Sequence, residues 1–354
     1  MPIRRALREA MSLPVVATCL AVQLVMGMAG CSAPVPSGPN PLASPTAQAA
    51  GPSVAAGPAE PVTADTSIAE VVGHPAFAGF GRFLFPIGSR SPSPGMTLED
   101  AGDLLPYHSH VEVDTSVDVV NSLIGSVLQG QTVFYDIYSE AEKAAEPGKA
   151  DTGLFFLKGE PGAPFAVVSA GGGFVYVGSI HESLPHALEL SRRGYNAFVL
   201  QYRTGGGAQV ANEDLAAAIS FVFRHAAELG VGTRGYSLWG GSAGARMAAS
   251  LGSRGPAAFG GDDLPRPATV VMQYTGHSEY SPQDPPTYAC VGQDDGIANW
   301  RTMKARVDAL SALGVPTEFH AYPNLGHGFG LGVGTTAAGW IDDAVAFWDR
   351  QRRR

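Results

Sequence analysis

The sequence predicts an α/β protein in which helices cover both faces of a mostly parallel central sheet. From about residue 132 onward, short apolar runs typical of strands alternate with longer runs typical of helices. Residues 240–244, Gly-Gly-Ser-Ala-Gly, join one such strand to the helix that follows. Small residues around a serine at that position favour a sharp, strained turn that exposes the hydroxyl at the top of a sheet.

The first segment of the chain predicts export. Residues 1–30 have three arginines near their start, then an apolar run, and end in Ala-Gly directly before Cys31. This pattern is that of a signal peptide. The ending resembles the bacterial lipobox, which implies lipidation of Cys31, although Met28 stands where leucine is usual. We therefore expect a protein anchored by lipid to a membrane of the bacterial cell envelope. The alternative is an ordinary cleaved signal and a secreted protein.

Composition divides the rest of the chain in two. Residues 31–66 are dense in Pro, Ala, Gly and Ser, which predicts a disordered tether, because such a segment buries too little apolar surface to fold. Residues 67–354 are long enough for one catalytic domain with a well-developed core. The formal net charge of −9, with no basic patch before the terminal arginines, predicts no nucleic-acid partner.

Residues 71–129 leave two arrangements open. They form either a cap over the active site or an extension packed on the edge of the sheet. His108 and His110 have a spacing that would suit a metal, but no convincing third ligand accompanies them. We predict structural roles for both, and neither a metal nor a cofactor for the protein.

The regular elements follow in order along the chain. Eight apolar runs predict strands, at residues 132–138, 153–157, 165–169, 196–202, 234–239, 268–274, 286–291 and 317–322. Five segments predict helices, near residues 183–193, 212–229, 245–251, 300–313 and 337–350. In the second helix, Asn212 is the expected N-cap and Gly230 the stop.

Three further turns carry residues of the types that catalyse hydrolysis. The strand at 165–169 runs into three glycines at 171–173, and the strand at 286–291 leads to Asp294 and Asp295. His327 follows the last strand between two glycines. With Ser242 at the earlier turn, the order along the chain is serine, acid, histidine. This is the order of α/β-hydrolases and differs from that of chymotrypsin and subtilisin.

On these motifs the chain from about residue 132 resembles an α/β-hydrolase of the esterase/lipase superfamily, closest to hormone-sensitive-lipase-like and acetyl-esterase-like members. The resemblance implies Ser242 as nucleophile and His327 as general base. It favours Asp295 as the acid, because family members tend to place it three residues after the glycine that ends this strand. Asp294 remains the alternative. One departure is Ala170, which stands where these relatives usually carry histidine before the glycines.

The resemblance also assigns the surroundings of the nucleophile. The expected oxyanion donors are the backbone N–H groups of Gly172, Gly173 and Ala243. Four further residues are predicted to border the pocket: Phe174, Tyr176, His181 and His277. With Cys31 lipidated, Cys290 is the lone free thiol of the mature chain and is expected to pack in a strand.

Three functions are compatible with this arrangement. The first is hydrolysis of small carboxylic esters, with a preference for short acyl groups. The second is acyl transfer or peptide cleavage on the same triad. The third is an inert surface lipoprotein that keeps the fold without turnover. The fold alone cannot separate them. The sequence leaves the oligomeric state open.

Overall fold

The computed structural model describes residues 61–87 and 90–353. The predicted signal peptide, its Cys31 and most of the predicted tether lie outside this part of the chain. The described residues form an eight-stranded sheet with the order β1-β2-β4-β3-β5-β6-β7-β8. Its strands are β1 (Phe134–Tyr135), β2 (Gly153–Leu157), β3 (Pro164–Ser169), β4 (Asn196–Gln201), β5 (Gly232–Gly241), β6 (Thr269–Gln273), β7 (Thr287–Gly292) and β8 (Thr317–Tyr322).

The sheet is mostly parallel, as predicted. Only β1 and β2 run antiparallel to their neighbours, and all pairings from β4 to β8 are parallel. All residues of β2, β4, β6 and β7 are buried. Because successive side chains point to opposite faces, complete burial means that both faces of the sheet are covered. The carboxyl ends of β3, β5, β7 and β8 therefore meet at one edge, where the predicted site residues follow them.

Helices follow most of the strands. Their bounds are α1 (Ile68–Val72), α2 (Val113–Leu128), α3 (Glu140–Ala145), α4 (Ser183–Arg192), α5 (Gly207–Arg224), α6 (Ala226–Leu229), α7 (Ala243–Arg254), α8 (Trp300–Ala312) and α9 (Trp340–Arg352). Short 3-10 turns lie at Pro75–Phe77, Gly81–Leu84, Leu98–Leu104, Pro147–Asp151 and Pro256–Phe259.

The start of α5 differs from the prediction. The helix begins at Gly207, and Asn212 is buried within it rather than capping it. Asp214, two residues further, is also buried and accepts hydrogen bonds from Arg203 Nε at 2.9 Å and from the Tyr138 hydroxyl at 2.7 Å. Asp214 thus belongs to a buried ion pair, and the helix start at Gly207 has no side-chain cap. The predicted stop at Gly230 is present, with a left-handed φ of 69°, but it ends the short helix α6, since α5 already ends at Arg224.

The domain begins earlier than residue 67. Val62 is buried, and its N–H donates to Asn121 Oδ1 at 2.9 Å. The Asn121 amide returns a hydrogen bond to the Val62 carbonyl, also at 2.9 Å. Asn121 lies on α2, so residues 61–66 of the predicted tether are part of the folded unit.

Residues 61–131, which we call the N-terminal extension, pack on the antiparallel edge of the sheet. The Phe80 ring stacks on Phe134 of β1, with centroids 4.8 Å apart, and meets Phe155 of β2 edge-on at 6.0 Å. Phe83 stacks on Phe134 from the same extension at 5.4 Å. Helix α2 packs against α4. At Phe80 and Phe83 the extension thus takes the edge packing that the sequence left as one of two alternatives, whereas Tyr107 lies beside Gly173 of the glycine loop, as the cap alternative would require.

Two further properties concern the described residues: the state of Cys290 and the absence of a membrane-spanning helix. Cys290 is fully buried in β7, and burial raises the pKa of its thiol well above the usual range. Within residues 61–87 and 90–353, no helix has the length and apolar character needed to cross a bilayer.

Removing the Phe80 ring should destabilise the whole domain. Phe80 is 3% exposed. We expect Phe80→Ala to lower the free energy of unfolding by about 3–5 kcal/mol, because it leaves a cavity between the extension and the sheet. Urea unfolding measures this change, with Tyr280→Ala as control, since Tyr280 is 52% exposed. A Phe80→Ala protein as stable as the control would mean that the extension does not contribute to the core.

Candidate active site

The turn at Ser242 is a strained one. Strand β5 ends at Gly241 and α7 begins at Ala243, and Ser242 between them has φ 49° and ψ −112°. Such a conformation costs on the order of 1–3 kcal/mol for a residue with a side chain, so its surroundings must hold it. The Ser242 N–H donates to the Gln273 carbonyl at 3.0 Å. A Cβ atom at Gly244 would overlap the Ser169 carbonyl oxygen, so only glycine lets α7 start this close to β3.

Ser242, His327 and Asp295 form one hydrogen-bonded chain. His327 Nε2 lies 3.0 Å from Ser242 Oγ, and His327 Nδ1 lies 2.7 Å from Asp295 Oδ2. The Asp295 side chain is fully buried and that of His327 nearly so. Asp295 Oδ1 also accepts the N–H groups of Ile297 at 2.7 Å and Ala298 at 2.6 Å. Both carboxylate oxygens are thus fixed, which fixes the orientation of the imidazole.

Asp294, the alternative acid, occupies a different position. It is exposed, and its backbone N–H donates to the Leu325 carbonyl at 3.0 Å. The structure therefore brings Asp295, and not Asp294, beside His327.

The glycine loop lies against the serine. A Cβ atom at Gly171 would stand 2.8 Å from Ser242 Cβ. Gly172 and Gly173 have φ of 127° and 64°. Within the described residues, neither of their N–H groups has a protein acceptor. The N–H of Ala243, at the first position of α7, belongs to the unpaired amides of a helix start. All three predicted oxyanion donors therefore lack a protein acceptor within the described residues.

One family model and several solved structures match part of this chain. The BD-FAE family model matches residues 157–263, which contain the glycine loop and Ser242 but neither Asp295 nor His327. A comparison with curated protein sequences gives no match.

Solved structures are similar over more than half of the chain. An α/β-hydrolase enzyme from a Medee basin deep-sea metagenome library is 23% identical, covers 57% of this chain and 93% of its own, and superposes with a TM-score of 0.50. An acetyl ester-xyloside bifunctional hydrolase from Caldicellulosiruptor lactoaceticus is 23% identical over 56% and 88%, also at 0.50. Carboxyl esterase 2 from the fungus Tuber melanosporum is 18% identical over 56% and 82%, again at 0.50. The chain has the α/β-hydrolase fold.

Of the four predicted pocket residues, Phe174 and His277 are partly accessible to solvent. Phe174 is half-buried with its ring 6.3 Å from Tyr202. His277 is also half-buried, and burial, with Arg306 nearby, lowers its pKa to about 4.

The other two lie behind the glycine loop, which corrects the prediction that they border the pocket. Tyr176 is 1% exposed, and its hydroxyl accepts the Tyr107 N–H at 3.1 Å. His181 is buried with Nε2 2.9 Å from the Gly328 carbonyl, and burial lowers its pKa to about 4. Both residues support the loops of the site, because their polar atoms are already engaged by protein groups.

Glu182, which directly follows His181, is a central group of the site. Its side chain is 1% exposed and its carboxylate accepts the Gly171 N–H and, at 2.9 Å, the Tyr274 hydroxyl. His108 Nε2 lies 2.8 Å from the same carboxylate. Burial alone would raise the pKa of Glu182, but His108 and the Gly171 N–H outweigh it and hold the pKa at about 2. No sequence motif marks this role, since the partners lie far apart along the chain.

The histidines flagged for their spacing do not form a metal site in the described part of the chain. There, no group of three or more His, Cys, Asp or Glu side chains could hold a metal ion. His108 faces Glu182 and Tyr176, and His110 is exposed with a φ of 53°.

Gly172 should not tolerate a side chain. A Cβ atom there would overlap the Tyr176 carbonyl oxygen. The matched control is Gly314, which has a φ of 81° and open space around it. We expect Gly314→Ala to cost about 1–2 kcal/mol from backbone strain alone. Gly172→Ala should cost about 1–3 kcal/mol more, from the clash. Thermal and urea unfolding give both values, and equal losses would contradict the close packing of the loop.

Proposed function

We propose that this chain is a serine hydrolase that cleaves carboxylic esters through an acyl-enzyme. The observation that carries the proposal is the hydrogen-bonded chain from Ser242 through His327 to Asp295, with unpaired backbone donors beside the serine. The combination of nucleophile, base, orienting acid and oxyanion donors in one place is what acyl transfer requires. Several proteins with similar folds carry esterase or hydrolase names.

In the proposed reaction, Ser242 Oγ attacks the ester carbonyl while His327 Nε2 takes its proton. The carbonyl carbon becomes tetrahedral and its oxygen takes a negative charge, which the N–H groups of Gly172, Gly173 and Ala243 stabilise. His327 then gives the proton to the leaving alcohol, and the acyl group stays on Ser242. Water attacks this ester by the same route, with His327 again as base, and releases the acid.

Asp295 makes this possible by holding one tautomer of His327. Its Oδ2 accepts the Nδ1–H, so Nε2 is left as an acceptor facing the serine. When His327 becomes charged during the reaction, the buried carboxylate stabilises it. Because Ile297 and Ala298 donate to Asp295 Oδ1, the carboxylate cannot rotate away.

The proposed substrates are small esters with short acyl groups, including acetyl groups on carbohydrates or similar polyols. The Tyr107 ring narrows the space beside the glycine loop, since it would lie 3.3 Å from a Cβ atom at Gly173. Tyr107 is 42% exposed and stacks on the buried Tyr176, with ring centroids 5.7 Å apart. An aromatic wall this close to the oxyanion donors favours a short acyl chain. The relative from Caldicellulosiruptor lactoaceticus is named for acetyl-ester hydrolysis.

We further propose that the enzyme acts outside the cytoplasm of a bacterium, anchored through a lipid on Cys31. The proposal rests on the sequence of residues 1–31. Such an enzyme would meet esters of the envelope or of the surrounding medium.

The triad is tested by single substitutions. We expect Ser242→Ala to lower kcat for p-nitrophenyl acetate by about 10⁴-fold or more, since it removes the nucleophile. Asp295→Asn should lower kcat by on the order of 10⁴-fold through the wrong tautomer of His327. The control is Asp294→Asn, which changes an exposed side chain. It should alter the activation free energy of the reaction by no more than about 0.5 kcal/mol. A greater loss at Asp294 than at Asp295 would reverse the assignment of the acid.

The acyl preference is tested with a chain-length series. We expect kcat/KM to be highest for acetyl or butyryl p-nitrophenyl esters and to fall for octanoyl and palmitoyl. Each methylene that the pocket cannot hold should cost about 1–3 kcal/mol at most. A maximum at octanoyl or longer would contradict the short pocket. Adding an alcohol acceptor separates hydrolysis from acyl transfer, because a transferase would form the new ester in preference to the free acid.

Lipidation is tested by labelling in a bacterial host. The wild-type protein should incorporate labelled palmitate and fractionate with membranes, whereas Cys31→Ser should do neither. Cys290→Ser is the matched control and should label like wild type, since Cys290 is buried in β7. An unlabelled, soluble mature wild-type protein would support the secreted alternative.

A further inference from the structure

A buried carboxylate joins three separate segments directly under the nucleophile. Glu182 accepts from Gly171 of the glycine loop and from Tyr274, just beyond the end of β6, and pairs with His108 of the N-terminal extension. A Cβ atom at Gly241 would lie 2.6 Å from the Glu182 carboxylate, which places it one residue from Ser242. We call Glu182 and these three partners the Glu182 junction. The mechanism proposed above uses none of its side chains.

The extension also bonds to the loop that carries the catalytic histidine. Ser109 Oγ donates to the His327 carbonyl at 2.6 Å, and the Ser109 N–H donates to the Gly328 carbonyl at 3.0 Å. On the other side, His108 Nδ1 lies 2.9 Å from the Tyr176 hydroxyl, behind the glycine loop. Two consecutive residues of the extension therefore bridge the oxyanion side and the histidine side of the site.

Gly171, which Glu182 holds, is the residue directly before the first oxyanion donor, and backbone hydrogen bonds fix the donors themselves. The Gly171 residue is held at its N–H by Glu182 and at its carbonyl by the Gly178 N–H, 3.0 Å away. The Gly171 carbonyl belongs to the same planar peptide unit as the Gly172 N–H, so the direction of that N–H is fixed as well. The Gly172 carbonyl accepts the Val175 N–H at 3.0 Å, which fixes the Gly173 N–H in the same way.

We propose that Glu182 and His108 are positioning residues that hold the Gly172 and Gly173 N–H groups at the place where the oxyanion forms. This inference rests on the esterase function proposed above. An oxyanion donor acts only within about 2.7–3.1 Å of the developing charge, and a displacement of about 1 Å can cost about 10²-fold in rate. A carboxylate buried at this point fixes the loop more firmly than a neutral acceptor would, because hydrogen bonds to a charged acceptor are roughly twice as strong.

Three substitutions test the role. Glu182→Gln keeps the shape but turns one acceptor into a donor, so one of the three partners loses its bond. His108→Gln removes the imidazole that pairs with Glu182. Tyr176→Phe deletes only the hydroxyl shared by Tyr107 and His108, and the packed ring should preserve folding. The control is His225→Gln, at a His–Glu pair with 3.1 Å between His225 Nδ1 and Glu228, beyond the end of α5.

The expected result is a fall in kcat for p-nitrophenyl acetate with little change in KM. We expect kcat to fall by about 10- to 100-fold in Glu182→Gln and His108→Gln and by a smaller factor in Tyr176→Phe. In His225→Gln we expect no fall in kcat. A boronic acid that adds to Ser242 mimics the tetrahedral state, so its affinity should fall by the same factor as kcat/KM. Thermal unfolding shows which variants are folded at the assay temperature. If Glu182→Gln and His108→Gln are unfolded, Tyr176→Phe provides the test.

The controls separate the two proposals. If the wild-type enzyme turns over the ester and Ser242→Ala does not, the esterase function stands. If the folded variants then had the kcat and the boronate affinity of the wild-type enzyme, the positioning role alone would be overturned. A loss of kcat in His225→Gln equal to the loss in the other variants would also overturn it. An inactive wild-type enzyme would overturn the esterase function and this inference together.

Discussion

The left-handed backbone of Ser242 is the constraint around which the site is built. A serine with a φ of 49° is stable only if its neighbours leave it no other conformation. Gly244 lets α7 start against the carbonyl of Ser169, and Gln273 accepts the Ser242 N–H. Those contacts come from β3 and β6, on either side of β5. The geometry of one residue thus depends on the register of three neighbouring strands.

The same tightness explains why a charge lies beneath the nucleophile. There is no room for a Cβ atom at Gly171 or Gly241, so the side chain that supports them must approach from behind. Glu182 does so from the residue before α4 and is surrounded by donors from three segments. An unpaired buried carboxylate would be strongly unfavourable, whereas one with three partners is stable. Glu182 and the extension therefore depend on each other, since His108 supplies one of the three.

The sequence predicted features that depend on residues close together in the chain, but not those that depend on residues far apart. The eight strands, and the turns with Ser242 and His327, were evident because each motif is contiguous and periodicity is local. The acid turn was equally evident, but local pattern did not separate Asp295 from Asp294. Asn212 was mistaken for a cap because α5 starts at Gly207 without a side-chain cap that the sequence could show. Tyr176 and His181 were placed in the pocket because spacing along the chain does not show which side of a loop faces solvent. The role of Glu182 could not be predicted, since two of its partners, His108 and Tyr274, lie in distant segments of the chain.

The burial of Cys290 has a consequence for the setting in which such a protein works. In the described part of the chain it is the only cysteine, and its thiol lies within β7 with a raised pKa. A buried, protonated thiol reacts slowly with oxidants and disulfides, because the thiolate is the reactive form. The catalytic groups proposed above are oxygen and nitrogen atoms without redox chemistry. The proposed activity should therefore be the same in an oxidising medium as in a reducing one.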